Sequence, residues 1–210
     1  MKVLLVNGSP HPKGSTYTAL EEVAKTLNSE GVETEIFQIG TKPLAGCIAC
    51  RSCVKNKRCI FTDSVNDFLD LAKDADGFVF GTPVHYAAAG GAITSFMDRV
   101  FYADACAGRK SFYLKPAAAV VCARRAGTTA TFDQLNKYFT ISEMPIISSD
   151  YWNMVHGANP EDIKKDLEGL QTMRILARNM AWFLKCKEAG LKAGIPLPQR
   201  EERIYTNFIR

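Results

Sequence analysis

Apolar residues fall in short, spaced runs divided by polar, glycine-containing stretches. Val3-Leu4-Leu5-Val6 is an unbroken apolar run of strand length, which predicts a strand buried on both faces over about 2–7. Leu20, Val23, Ala24 and Leu27 then recur at the i, i+3, i+4, i+7 spacing of an amphipathic helix, predicted over 15–29. A strand follows over about 32–39. Ser64, with Asp67 three residues on, reads as the N-cap of a helix ending near Asp74. The next strand is 77–81. Ile93, Phe96, Met97 and Val100 mark one face of a third helix. A strand at 116–123, a helix at 129–139 and a strand at 145–149 complete the alternation. Asn159-Pro160 predicts the start of a long last helix reaching about Glu188, with proline in the first turn, where its missing N–H costs nothing. Ile163, Leu167, Leu170, Ala177, Met180 and Leu184 would fill its inner face.

This strict alternation predicts an α/β domain over residues 1–188. It is a doubly wound, five-stranded parallel sheet of order 2-1-3-4-5 with helices on both faces. Residues 189–210 form a basic tail with Ile195, Leu197, Ile204, Tyr205 and Phe208, expected to pack on a neighbouring subunit. Ligands of such sheets sit outside the carboxyl ends of the strands, at the topological switch point. The loops after the first, third and fourth strands are therefore the candidate site.

Each of these loops carries unusual chemistry. The first reads Gly8-Ser9-Pro10-His11-Pro12-Lys13-Gly14 and enters a helix whose first residues are Ser15, Thr16, Tyr17 and Thr18. Unpaired N–H groups and the helix dipole favour an anion there, and the hydroxyls add donors. The spacing matches neither a Walker A motif nor G-x-G-x-x-G. The second loop, Thr82-Pro83-Val84-His85-Tyr86, offers a stiff turn and an aromatic wall for a flat ring, and the small residues 87–91 leave room. The third, Arg124-Arg125-Ala126-Gly127-Thr128, can set a cation beside a ring that becomes anionic on reduction. Each loop alone also reads as an ordinary turn; the three at one end of one sheet point to a ligand.

Charge and composition narrow the partners. The net charge of +4 is small and its basic residues are scattered, so nucleic acid is not expected. No run approaches the roughly 18 apolar residues of a membrane span. The chain opens directly on a strand-like run, so a cytoplasmic location is expected.

Seven cysteines are many for 210 residues, and a disulfide framework is not expected in a reducing compartment. Cys106, Cys122 and Cys186 lie on apolar stretches and read as small buried hydrophobes. Cys47, Cys50, Cys53 and Cys59, in the loop 40–63, form a C-x2-C-x2-C-x5-C run. Three thiolates so spaced can wrap three corners of a cubane, and Cys59 can close the fourth. Arg51, Lys55, Lys57 and Arg58 would offset the thiolate charge. Four-thiolate zinc and a vacant or oxidised loop remain as alternatives.

Gly8-Ser9-Pro10 with Gly14-Ser15-Thr16, followed by Thr82-Pro83-Val84-His85-Tyr86, resembles the NADPH-dependent FMN reductase family of the flavodoxin-like fold. With the cysteine run included, the chain is similar to that family's iron–sulfur flavoproteins. The resemblance implies non-covalent FMN, with phosphate at Ser9, Ser15 and Thr16 and the ring held by Pro83, Val84, His85 and Tyr86. It further implies a [4Fe–4S] cluster exchanging electrons with FMN, and a dimer or tetramer. The expected function is an FMN-dependent oxidoreductase in which the flavin, not a side chain, carries the chemistry. NAD(P)H or a ferredoxin-like protein would be the donor. A flavodoxin-like carrier or a redox-sensing module is the alternative.

Overall fold

A computed structural model describes residues 1–202, 204–206 and 208. The chain runs β1 (Lys2–Asn7), α1 (Ser15–Ser29), β2 (Glu33–Gln38), α2 (Ser52–Asn56), α3 (Ser64–Ala72), β3 (Gly77–His85) and β4 (Ala88–Ala89). It continues through α4 (Gly91–Cys106), β5 (Ala117–Ala123), α5 (Thr128–Ile141), β6 (Met154–His156), α6 (Pro160–Ile163) and α7 (Leu167–Lys192). The main sheet has order β2-β1-β3-β5-β6, and the pairings along it are parallel. That is the doubly wound order expected, in a flavodoxin-like arrangement. The two-residue β4 folds back antiparallel onto the end of β3.

Side-chain alternation divides the core into two layers. Leu4, Val6, Phe78, Phe80, Ala117 and Ala119 face α3, α4 and α5. Val3, Leu5, Val79, Ala118, Val120 and Cys122 face α1, α6 and α7. The first layer is aromatic: Phe68 makes edge-on contacts with Phe78, Phe80 and Phe96. The strand beside β3 is cut down to match. Ala117 and Ala119 lie opposite Phe78 and Phe80 in the β3–β5 register, so small residues leave the volume that the rings fill.

Several local expectations are corrected. The fifth parallel strand lies at Met154–His156, and the 145–149 segment contributes only a single bridge from Ile146 to Ala117. The last helix is broken. Asn159 caps only a four-residue turn, and the chain restarts at Asp166, whose Oδ1 accepts from Gly169 N–H at 3.0 Å and Oδ2 from His156 N–H at 2.6 Å. A capping carboxylate that also ties down the edge strand outweighs the continuity of the apolar spacing. Leu167 is left 73% exposed instead of on the inner face. The cap of α3 is Asp63, accepting from Val65 N–H, and Ser64 instead donates to Ile39 O at 3.0 Å. Part of the tail returns to its own chain: Tyr113 donates to Pro198 O at 3.1 Å, and Arg200 pairs with Glu143 and lies 4.0 Å over the Tyr113 ring. Ile204 and Phe208 are over 90% exposed. Among the described residues no helix is long and apolar enough to cross a membrane.

Two glycines separate steric need from backbone freedom. A Cβ on Gly8 would stand 2.7 Å from Gly81 O, a backbone atom that cannot yield, whereas one on Gly31 meets nothing within 4 Å. Gly8→Ala is expected to destabilise by about 1–3 kcal/mol. Gly31→Ala, strained only by its φ of +81°, should cost about 1 kcal/mol. Urea unfolding midpoints check the ranking.

Asp104 on α4 is buried, with one carboxylate oxygen lacking a hydrogen-bond partner, and burial pushes its pKa up. Its ionisation therefore opposes folding. The penalty is absent below the ordinary carboxylate range and grows as pH rises through the raised folded-state value. Asp104→Asn is expected to be more stable than wild type at neutral pH, with the advantage vanishing in acid. Urea titrations at the two pH values measure this.

Candidate functional site: a four-loop pocket and a cysteine cleft

The loop after β1 is held by two polar residues ending neighbouring strands. Asn7 Nδ2 donates to Gln38 Oε1 at 2.5 Å and to His11 O at 3.3 Å. Asn7 Oδ1 accepts from Ser9 N–H, and Gln38 Nε2 donates to Ser9 O at 2.7 Å. His11 N–H donates to Ser9 Oγ, closing a tight turn. The turn delivers the chain to Gly14, the N-cap of α1, which has no side chain to satisfy the helix's first N–H groups. Those groups, with the Ser15 and Thr16 hydroxyls, form one wall of a pocket.

The other walls come from three strand ends. β3 contributes Pro83, Val84 and His85, stiffened by the fold-back of β4. β5 contributes Cys122, Ala123 and Arg124, and the turn after β6 contributes Gly157 and Ala158. Together with Ser9, Pro10 and His11 they border an open pocket of about 370 Å³. Among the described residues no carboxylate lines it, so its electrostatics favour an anion. Burial pushes the Cys122 thiol up to about 12, which keeps it protonated and non-nucleophilic at neutral pH.

Eight expected residues line this pocket: Ser9, His11, Ser15, Thr16, Pro83, Val84, His85 and Arg124. Six lie outside the lining. Tyr17 accepts from Lys13 Nζ at 2.7 Å on the surface, and Thr18 bonds back to Gly14 O. Tyr86 sits at a turn apex with φ +61°, fully exposed, and Arg125 is exposed. Gly127 acts from beneath, because a Cβ there would strike Val84 Cγ1 at 2.9 Å; Thr128 is buried in the first turn of α5. Gly157 and Ala158 are not among the expected residues, because they follow β6 at Met154–His156, not a strand at 145–149. Asn7 carried a legible signal, a polar residue closing the apolar run of β1 at the switch point, whereas Gln38 on the mixed edge strand β2 did not.

The cysteine loop forms a second site. Cys47, Cys50, Cys53 and Cys59 line one narrow cleft of about 20 Å³ against Arg99, Tyr102 and Ala103 of α4. None of its lining residues is shared with the four-loop pocket. Ala49, Arg51 and Lys57 all have φ between 52° and 58°, so the loop holds three non-glycine residues in left-handed conformations. Strain of this kind persists only where the surroundings enforce it. Here Asn66 clamps Cys59 on both sides, accepting from its N–H and donating to its carbonyl, each at 3.0 Å. Ser52 hydrogen bonds draw the Cys50 pKa down, while burial and the neighbouring Cys106 push Cys53 up. Cys106 is thus beside the cleft, not simply a core residue.

No three His, Cys, Asp or Glu side chains among the described residues converge closely enough to hold one metal ion. The four cysteines border one cleft, with the buried Arg99 behind them.

An iron–sulfur flavoprotein of Methanocaldococcus jannaschii is 31% identical over 194 residues, covering 88% of this chain and 98% of that protein. The crystal structure of RosB with a bound 8-demethyl-8-formylriboflavin 5'-phosphate intermediate superposes with a TM-score of 0.69 at 13% identity, covering 100% of this chain and 94% of that one. A flavodoxin from the domain Archaea gives 0.59 at 16% identity, covering 88% and 99%. The family model for NADPH-dependent FMN reductases matches residues 1–159, and the chain belongs to that family.

Proposed function

We propose that the protein is an FMN-dependent oxidoreductase carrying a [4Fe–4S] cluster on its cysteine loop. It would pass electrons from NAD(P)H or a ferredoxin-like donor to an acceptor. The observation that carries the flavin half is the carboxylate-free pocket built on an uncapped helix amino end. The family match and the flavoprotein relative support the same reading.

Bound flavin supplies hydride or single-electron transfer at its ring, and a cluster supplies single electrons. The protein's part is positioning and electrostatics. Ser15, Thr16 and the first N–H groups of α1 hold the phosphate dianion, with Ser9 oriented by its bond from His11 N–H. Pro83, Val84 and His85 form one wall for the ring, and Cys122 and Ala123 with Gly157 and Ala158 complete its enclosure. Arg124 brings the positive charge that favours a reduced, anionic ring. Cys47, Cys50, Cys53 and Cys59 ligate the cluster. The cationic loop residues and the exposed tail side chains Ile204 and Phe208 offer contacts for a second copy, so a homo-oligomer is the proposed assembly.

Protein denatured after purification should release FMN and not FAD. Ser15→Asp sets a carboxylate against the phosphate and is expected to weaken FMN binding by about tenfold or more. Fluorescence titration of the flavin-free protein measures it, and unchanged affinity would place the phosphate elsewhere.

Anaerobic reconstitution should load about four irons per chain. Cys50→Ser should abolish that iron and leave FMN binding intact, because the two sites share no lining residue. Iron and flavin analysis of one preparation tests both halves, and steady-state turnover with NADH or NADPH and a quinone separates an enzyme from a carrier. Light scattering should give more than one chain's mass at micromolar concentration.

A further inference from the structure

The cysteine cleft has a feature that the C-x2-C-x2-C-x5-C run does not contain. Arg99, forty residues beyond Cys59 on α4, is 1% exposed and lies behind the cleft. Its guanidinium grips Asp63 in a two-pronged pair, Nη1 to Oδ2 at 2.7 Å and Nη2 to Oδ1 at 2.9 Å. The same group aims Nε and Nη2 at Cys59 Sγ, at 3.3 and 3.2 Å. A fifth bond runs from Nη1 to Ala45 O at 3.3 Å, and the Phe61 ring lies 4.7 Å from the guanidinium carbon.

A plain structural anchor would explain the bonds to Asp63 and Ala45. It does not explain two N–H groups directed at one sulfur. An arginine guanidinium is not deprotonated in proteins, so the buried group is a fixed cation that donates to both Asp63 and Cys59. The pair does not cancel at the sulfur. Asp63 is 26% exposed and screened by water, whereas Arg99 is buried and touches Cys59 directly.

We propose that Arg99 is a positioning residue that tunes the cluster. Its two N–H donors on Cys59 Sγ and its buried charge raise the cluster's reduction potential, with Asp63 as the opposing charge that limits the rise. This role rests on the cluster reading above. Donors to a ligating sulfur and nearby positive charge both favour the more negative, reduced state. Each reduction adds one electron to the cluster, taken from the donor, and breaks no bond in the protein.

The test is an anaerobic redox titration of reconstituted protein, following cluster and flavin bands together. Arg99→Met removes the cation and both donors. It is expected to disfavour reduction at least tenfold, lowering the cluster midpoint by about 59 mV or more for a one-electron couple. Asp63→Asn keeps a capping side chain for α3 and removes the opposing charge, so its midpoint should move up. The flavin midpoint should stay in place in both variants. If Arg99→Met cannot retain iron, the direction of the Asp63→Asn shift decides alone. Cluster midpoints that stay put, or an Asp63→Asn shift to lower potential, overturn the tuning role. A wild type that takes up no iron refutes the cluster reading itself, and the tuning role falls with it.

Discussion

The carboxyl end of the sheet depends on how closely β3 approaches the chain just where β1 ends. Gly8 N–H donates to Gly81 O at 2.8 Å, and neither position has room for a side chain. A Cβ on Gly81 would come within 2.9 Å of Leu20 and Thr16, so the same glycine sets how near α1 lies to the sheet. The switch point of the doubly wound order falls between these two strands. Closing that gap places the uncapped end of α1 against the Pro83–His85 segment. The pocket follows from backbone contact more than from any one functional side chain.

A different device holds the cysteine loop. It is long and strained, and it gains little from regular secondary structure beyond the five-residue α2. Its order comes from polar clamps on a helix buried by the aromatic layer. Phe96 fixes α4 against Phe68, and Arg99, one turn on, is presented to Asp63 and Cys59. Asn66 fixes the backbone of the same cysteine from α3. The phenylalanine-rich core and the alanine-rich β5 thereby determine where the sulfurs stand, although none of those residues touches the cleft.

The two sites solve opposite electrostatic problems with the same sign of charge. The four-loop pocket presents helix N–H groups, hydroxyls and Arg124 to an anion from outside. The cleft gathers thiols and sets a buried guanidinium behind them. Since no residue belongs to both, each can be altered without dismantling the other, and any exchange between them depends on placement, not on a shared side chain.

Much of this was written in the sequence. Unbroken apolar strand runs and period-3.6 helical spacing gave the layers, because burial on two sheet faces imposes them locally. The hydroxyl-rich first loop and the cysteine spacing declared their chemistry because those residue types are contiguous in the chain. Only the tertiary structure could move the fifth strand to 154–156, since a three-residue edge strand has too few residues to show a pattern. The break before α7 was equally hidden, because Asp166 reaches across to His156 by a contact that spacing along a helix does not reveal. In the sequence Arg99 is a lone charge beside Ile93, Phe96, Met97 and Val100, with nothing around it that marks a site. Its role is decided by Asp63 and Cys59, 36 and 40 residues away in sequence, and a pairing of that range exists only once the core has brought α4 beneath the loop.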